Sequence, residues 1–299
     1  MAERQQSVKK NSNGMSEKNL AVVSLFAGAL IWGVIWYPYR LLRDAGIHGI
    51  VSSSVTYAIA LVFGLFFFRR SFSRFAFSWP LLWLALTSGI CNLGYVLATL
   101  NGDVLRVLLL FYLAPLWTVL FSRLLLGERL SRIGARIIAL SLSGALIMLW
   151  HPYIGLPVPR DGADWLGLGA GISFALFNVL SRRAAEVSIE LKSMSAFFGV
   201  VVVGGLLVLL GVAPGQIPPV WSVWIMLVAI GAVLVGASLV AQYGLARVAS
   251  NRAVVIMLSE VGFAALAAWL LAGEVPALRD WIGGLMIIAA SLLSAKAEK

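Results

Sequence analysis

The stretch LLLGERLSRIGARIIALSLSGALI, from Leu124 to Ile147, returns near the C-terminus as LLAGEVPALRDWIGGLMIIAASLL, from Leu270 to Leu293. Both copies begin with a leucine-rich end that runs into Gly-Glu, continue through a short linker to an Ile-Gly pair, and close with an apolar segment. Further upstream, YVLA at 95–98 resembles YGLA at 243–246. Similar segments in the same order indicate that the chain contains two copies of one structural unit.

The composition of the chain is that of a membrane protein. Of its 299 residues, 61% are hydrophobic and 12% are charged, and the mean hydropathy is +0.94. Soluble domains carry roughly 25% charged residues, so this chain lacks the polar surface that water requires. Because apolar runs of about 20 residues cross a bilayer as helices, the predicted fold class is an all-α integral membrane protein.

Apolar segments of this length recur along the whole chain, and the breaks between them are too short to hold a soluble domain. We predict ten transmembrane helices, at 20–39, 49–68, 79–100, 104–126, 132–150, 165–182, 193–212, 221–245, 253–271 and 280–295.

Basic residues are distributed unequally between the two sides of these spans. If the N-terminus is cytoplasmic, all but five of the 23 Lys and Arg residues lie inside, and the five outside are Arg40, Arg43, Arg106, Arg160 and Arg279. Basic residues concentrate on the cytoplasmic side of membrane proteins, so we predict that both termini are cytoplasmic. The same bias explains the net charge of +10, and no nucleic-acid partner is predicted.

Each copy of the repeat contains five predicted spans, and an odd number turns the second copy upside down. Inverted repeats are typical of secondary transporters, whose substrate site lies near the middle of the bilayer. We predict a disordered cytoplasmic N-terminus at 1–19, a first five-helix repeat at 20–150, an external linker at 151–164 and a second, inverted repeat at 165–296.

Each five-helix repeat closes with the same series: a span, the motif Leu-Leu-x-Gly-Glu, and an Ile-Gly pair, with a proline in the span of the first repeat. Repeats of this kind resemble the EamA-type branch of the drug/metabolite transporter superfamily. The resemblance covers roughly residues 20–296, and in particular the chain resembles the bacterial aromatic amino-acid exporters of that branch. It implies a multi-pass protein of the bacterial inner membrane, with a central cavity and with spans five and ten at the periphery. The family proline is present as Pro115, but the second repeat has Glu260-Val261 where the family usually has Glu-Pro. Whether span nine bends is therefore open.

Glu260 is the one charged residue in IMLSEVGFAALAAWLL, residues 256–271. It follows Arg252 by eight residues, which is about 12 Å along a helix and places it near the middle of the bilayer. Ionisable side chains at this depth face the bundle interior or a wet cavity. Two interpretations stay open: the carboxylate binds a substrate amino group or a proton, or it is a packing group hydrogen-bonded to neighbouring backbone.

Other side chains at this depth are candidates to line a cavity. Intramembrane amides need partners that lipid cannot supply, so they either join helices or bind substrate. An aromatic side chain within a helix more often packs than binds. The predicted substrate-binding residues are Glu260, Trp32, Asn92, Tyr95, Tyr112, Phe177, Asn178, Gln242 and Tyr243.

The leading hypothesis is a secondary transporter that exports small amphipathic metabolites, chiefly aromatic and bulky apolar amino acids, by alternating access. Export of lipophilic cations as a multidrug transporter is the alternative, because a carboxylate with aromatic walls also suits such cations. Anionic sugar phosphates are disfavoured, since the apolar spans show no basic group at depth. An intramembrane enzyme is the hypothesis from a different class, and no acid–base or nucleophile motif favours it.

Few partners and no cofactors are predicted. The single cysteine, Cys91, lies in an apolar run and allows neither a disulfide nor a cysteine-based metal site. We expect the partners to be the small-molecule substrate and the lipid bilayer. We expect a monomer or homodimer, without the ATPase subunit of an ATP-driven importer.

Overall fold

The computed structural model describes residues 2–69, 78–150, 158–273 and 275–296, and every regular element within these ranges is a helix. In chain order the helices are α1 Ala2–Asp44, α2 Gly49–Phe67, α3 Trp79–Asn101, α4 Val104–Phe111, α5 Ala114–Leu126, α6 Arg132–Leu149, α7 Gly162–Arg183, α8 Ile189–Leu209, α9 Trp221–Arg247, α10 Ser250–Met257, α11 Glu260–Ala272 and α12 Leu278–Lys296.

Within the described residues, nine helical segments are long and apolar enough to cross a membrane, and they coincide with the first nine predicted spans. The chain is therefore a multi-pass membrane protein, as its composition predicts. The tenth predicted span is helical within α12, and its crossing of the membrane stays a prediction. Helix α1 includes most of the segment 1–19, whose predicted disorder also stays a prediction.

Local sequence signals begin and end these helices. The side chains of Ser131 and Asp161 accept hydrogen bonds from the backbone N–H groups three residues later, at 3.0 Å and 2.8 Å, and so begin α6 and α7. Helices α5 and α11 each end at a glycine in the left-handed conformation, Gly127 with φ 68° and Gly273 with φ 69°. Only glycine adopts that conformation without steric cost, which explains the glycine of both Leu-Leu-x-Gly-Glu motifs.

Spans four and nine are both interrupted near their middle. A two-residue turn at 112–113 separates α4 from α5, and a turn at 258–259 separates α10 from α11. In span four the break precedes Pro115, which lacks the N–H group that a continuous helix needs. Span nine lacks a proline, but Ser259 donates its hydroxyl to the carbonyl of Ile256 at 2.6 Å, and such back-bonding bends helices.

The two interrupted spans have the same construction. Helices α4 and α10 each have eight residues, and α5 and α11 each have thirteen. The pairing of helices also matches between the halves: α1 packs against α9 and α11, as α7 packs against α3 and α5. Likewise α2 packs against α8, and α6 packs against α12. A duplication produces such a matched pairing; the two-repeat arrangement, its inverted orientation and the cytoplasmic termini stay predictions.

Glycines allow the closest of these helix crossings. A Cβ atom at Gly89 on α3 would lie 2.5 Å from the carbonyl oxygen of Gly199 on α8. A Cβ atom at Gly144 on α6 would lie 2.7 Å from the carbonyl oxygen of Gly283 on α12. Small residues at these crossings let helix backbones approach each other, which is how helices associate in lipid.

We expect Gly144→Ala to lower the free energy of unfolding by about 1–3 kcal/mol, because the added methyl group meets backbone that must shift. The matched control is Gly284→Ala on α12, where a Cβ atom would meet only the Met148 sulfur, at 3.9 Å. That control should be neutral or stabilising by up to about 1 kcal/mol, since alanine favours helix over glycine. Denaturant unfolding in detergent micelles measures both. Equal effects of the two substitutions would show that the α6–α12 crossing is not tightly packed.

Candidate functional site

Glu260 and Tyr112 meet where the two interrupted spans face each other. Tyr112 lies in the turn that follows α4, and Glu260 is the first residue of α11. The Tyr112 hydroxyl donates a hydrogen bond to Oε1 of Glu260 at 2.9 Å. Both residues are half-buried, so this intramembrane carboxylate has a partner and still keeps accessible surface.

An aromatic cluster lies behind Tyr112. The ring of Phe111 is buried and packs against the rings of Tyr95, Tyr112 and Phe174 at centroid distances of 5.2, 5.4 and 5.5 Å. The rings of Tyr95 and Tyr112 stand edge-on to that of Phe111, a geometry that stabilises aromatic pairs beyond their burial. This cluster holds the Tyr112 ring in position.

Helix α1 packs tightly against the backbone of Glu260. A Cβ atom at Gly33 would lie 2.7 Å from the carbonyl oxygen of Glu260 and 2.8 Å from the Cβ atom of Phe263. The neighbouring Trp32 is half-buried and packs against apolar residues of both halves. Close packing at Gly33 therefore fixes the position of Glu260 relative to α1.

A half-open apolar cavity of about 160 Å³ lies next to Tyr112, between span four and α6. Its lining is apolar apart from one tyrosine and one serine, and consists of Leu109, Tyr112, Leu113, Leu142, Ser143, Ala145 and Leu146. Tyr112 therefore contacts the carboxylate with its hydroxyl and lines the apolar cavity as well.

A separate polar cluster lies where α7 ends, beside α8 and α9. The Ser181 hydroxyl donates to the side-chain oxygen of Gln242, and Nζ of Lys192 donates to the Ser181 carbonyl at 2.7 Å. Gln242 is 1% exposed and Lys192 is 0% exposed. Asn178, one turn before Ser181, is also buried, and its Nδ2 atom has no hydrogen-bond partner.

The burial of Lys192 is a correction to the sequence analysis. The sequence suggests that Lys192 belongs to a solvated cytoplasmic loop just before span seven, and that the spans offer no buried basic group. In the structure, α8 already begins at Ile189, and the long side chain of Lys192 is 0% exposed. Charge alone did not reveal this, because lysines beside span ends are normally solvated.

Ion pairs tie both ends of α7 to span four. At one end, Nη2 of Arg106 lies 2.6 Å from Oδ2 of Asp164, and both side chains are buried, at 9% and 1% exposure. At the other end, Nε of Arg182 lies 2.8 Å from Oε1 of Glu128, and this pair is partly exposed. Breaking a buried ion pair costs about 3–5 kcal/mol, so the Arg106 end is the stronger attachment.

The Glu128–Arg182 pair also contacts the segment that leads into α10. The backbone N–H of Ser250, at the start of α10, donates to Oε2 of Glu128 at 3.2 Å. Nη1 of Arg182 donates to the carbonyl of Val248 at 2.7 Å. The glutamate of the first Leu-Leu-x-Gly-Glu motif thus closes this end of the bundle by joining the two halves.

Three of the residues predicted from the sequence lie together in the structure. Tyr112 is hydrogen-bonded to Glu260, and Tyr95 lies close enough to Glu260 to interact with its charge. Trp32 packs against the apolar cluster that includes Ile256 and Met257 of α10, and the remaining predicted residues make other contacts. Asn92 donates to the Tyr57 hydroxyl at 3.2 Å, and Tyr243 lies beneath the Arg247 guanidinium at 3.8 Å. Gln242 and Asn178 belong to the Lys192 cluster, and no described contact brings Phe177 to Glu260. The role of all these residues in substrate binding stays a prediction.

Phe111, Phe174 and Lys192 are not among the site residues predicted from the sequence. Phe111 adjoins Tyr112 in the chain, which is the signal that could have identified it. In the described residues no group of three or more His, Cys, Asp or Glu side chains is placed to hold a metal ion. The absence of a cofactor stays a prediction.

Comparison with known proteins identifies relatives. Residues 162–295 match the family described as the EamA-like transporter family. A protein of Archaeoglobus fulgidus named as an uncharacterized transporter is 27% identical over 221 residues, which cover 72% of this chain and 75% of that protein. One solved crystal structure superimposes with a TM-score of 0.78 at 20% identity, covering 93% of this chain and 98% of that one. At such low identity, this likeness shows the fold alone.

We expect Tyr112→Phe to lower the free energy of unfolding by about 1–3 kcal/mol, because the half-buried carboxylate loses its donor. Tyr95→Phe is the matched control, since its ring packs on Phe111 and no described hydrogen bond depends on its hydroxyl. That variant should stay near the wild-type stability. Thermal unfolding in detergent measures both, and a neutral Tyr112→Phe would contradict the importance of the bond.

A double-mutant cycle of Glu128→Gln and Arg182→Gln should give a coupling energy of about 0.5–3 kcal/mol, as contacting charged partners do. The pair Arg279–Asp280 serves as the reference, because its N–O distance is 3.9 Å and its arginine is 44% exposed. Exposed pairs of that kind couple by less than about 1 kcal/mol. Equal coupling in both pairs would mean that the Glu128–Arg182 pair does not hold the bundle end closed.

Proposed function

We propose that this protein, whose residues 162–295 match the EamA-like transporter family, is a membrane transporter that exports small amphipathic metabolites, chiefly aromatic and bulky apolar amino acids. The observation that carries the proposal is the position of Tyr112, which binds the Glu260 carboxylate and also lines an apolar cavity. A charged acceptor beside an apolar space suits a molecule with one cationic and one apolar end.

The Glu260 carboxylate would bind the ammonium group of the substrate. It accepts one hydrogen bond, from Tyr112, and a carboxylate has capacity for several more. Its partial exposure leaves the rest of that capacity accessible. A carboxylate that only joined helices would not need this accessibility. Intramembrane ionisable groups commonly mark substrate or ion pathways.

The cavity beside Tyr112 would take the apolar part of the substrate. Its volume of about 160 Å³ is close to that of an engineered apolar cavity of about 150 Å³ that binds benzene. A phenyl ring therefore fits. Apolar pockets discriminate weakly between side chains that differ by a methylene group, so transport should extend from phenylalanine to methionine and leucine.

Alternating access is supported by the difference between the two sides of Glu260. Toward the Glu128–Arg182 pair, every residue from Ala253 to Ser259 is buried. In the opposite direction, Trp36, Tyr95 and Thr99 are half-exposed. One end of the pathway is therefore closed by packing and by ion pairs, and these contacts must separate when that end opens. By the distribution of basic residues, this is the cytoplasmic end.

Export of lipophilic cations is the second candidate. The rings of Tyr95, Phe111, Tyr112 and Phe174 near Glu260 favour it, because aromatic faces attract cations. In either case we propose a multi-pass protein of the bacterial inner membrane, with N-terminus and C-terminus inside, acting as a monomer or homodimer without an ATPase subunit or cofactor. The family and the named relative favour a transporter over an enzyme.

Counterflow in proteoliposomes tests the proposal, with radiolabelled phenylalanine, tryptophan, methionine and a lipophilic cation as substrates. We expect the purified protein to exchange the amino acids. In Glu260→Gln the rate of exchange should fall by about tenfold or more, as loss of a charged hydrogen bond predicts. Runs with and without a pH gradient show whether Glu260 also carries protons.

The control is Glu186→Gln, which removes an exposed carboxylate between α7 and α8 and should leave exchange unchanged. Cys91 is the only cysteine of the chain and lies close enough to Glu260 to interact with its charge, so substrate should slow its alkylation. Equal exchange by wild type and Glu260→Gln would make the glutamate structural. Flux of the cation without amino-acid flux would establish the drug exporter instead.

A further inference from the structure

The side chain of Lys192 is fully buried without a carboxylate partner. Its described hydrogen bond goes to a backbone oxygen, that of Ser181, although an ammonium group has three N–H donors. No described acidic side chain lies within ion-pair distance. The charged group that interacts with Lys192 electrostatically is another cation, Arg247. A buried charge left without an opposite charge is costly.

The neighbours of Lys192 add further unused donors. The Nδ2 atom of Asn178 is buried without a partner, and it lies one turn before Ser181 on α7. The Ser181 hydroxyl and the Gln242 amide complete the cluster through their mutual hydrogen bond. A buried positive charge with amide groups on the helices beside it, and with no acidic group near it among the described residues, is the composition of a site for a carboxylate.

The cluster is distinct from the Glu260 site. Gln242 lies five residues before the end of α9, and Glu260 lies ten residues after the start of α10. Along the helices these positions differ in depth by roughly 8 Å. In an α-amino acid the ammonium and carboxylate groups are attached to one carbon atom, so one molecule cannot occupy both positions at once.

We infer that Lys192, with Asn178 and Gln242, forms a second substrate position that binds the carboxylate of the transported amino acid. This inference rests on the proposed function. In the closed arrangement Lys192 donates to the end of α7, and when the Glu128 end of the bundle opens, its ammonium group becomes available to the carboxylate. The amino acid occupies this position first and then moves to Glu260, which binds its ammonium group.

Three related compounds separate the two sites: phenylalanine, phenethylamine, which lacks the carboxylate, and 3-phenylpropionate, which lacks the amino group. Lys192→Met should reduce exchange of phenylalanine and 3-phenylpropionate by about tenfold or more, as loss of a charged hydrogen bond predicts. Phenethylamine exchange should stay within about twofold of the wild type, which is less than one such bond. Glu260→Gln should instead impair phenethylamine most strongly and spare 3-phenylpropionate.

The control is Arg183→Met, which removes an exposed cation from the last residue of α7 and should alter none of the three fluxes. If Lys192 only caps the end of α7, Lys192→Met will impair all three compounds equally, and the inference is overturned. If the wild type exchanges none of them, the proposed function fails. In that case the carboxylate site is tested by measuring the unfolding temperature with and without 3-phenylpropionate. The compound should raise the unfolding temperature of the wild type but not that of Lys192→Met. Equal shifts overturn it.

Discussion

The hydrogen bond between Tyr112 and Glu260 joins the two interrupted spans at the centre of the molecule. Each partner lies at a turn where regular helix stops. In lipid such irregular backbone is tolerated only where protein covers it or where it lines a cavity, so both breaks must face inward and toward each other. The close approach of α1 at Gly33 and the aromatic packing behind Tyr112 follow from this requirement.

The two interrupted spans carry different chemistry. Helices α4 and α5 have the same lengths as α10 and α11, and positions that differ by 146 correspond, since 260 − 114 = 146. Glu260 therefore corresponds to Ala114, and Tyr112 corresponds to Leu258. Helices of equal length position the site, whereas a single carboxylate and a single tyrosine make it chemically one-sided.

The two ends of α7 are attached with unequal strength. The Arg106–Asp164 pair is almost completely buried, while the Glu128–Arg182 pair retains access to solvent. Partly exposed ion pairs are weaker than buried ones, and buried pairs are costly to break. Under the proposed alternating access, helix α7 stays attached to span four at the Arg106 end while the Glu128 end releases the start of α10.

The sequence by itself determined the membrane class and nine of the spans to within a few residues, and it singled out Glu260 as a candidate. Apolar runs, Gly-Glu motifs and a lone charge are local properties that can be read directly along the chain. Only the tertiary structure decided that Tyr112 is the partner of Glu260, from which it is separated by 148 residues in sequence. It also decided that Phe111 supports Tyr112, that Lys192 is buried and that span nine breaks without a proline. These features depend on how helices distant in sequence pack against one another, and hydrophobic pattern shows which faces are buried but not what they face.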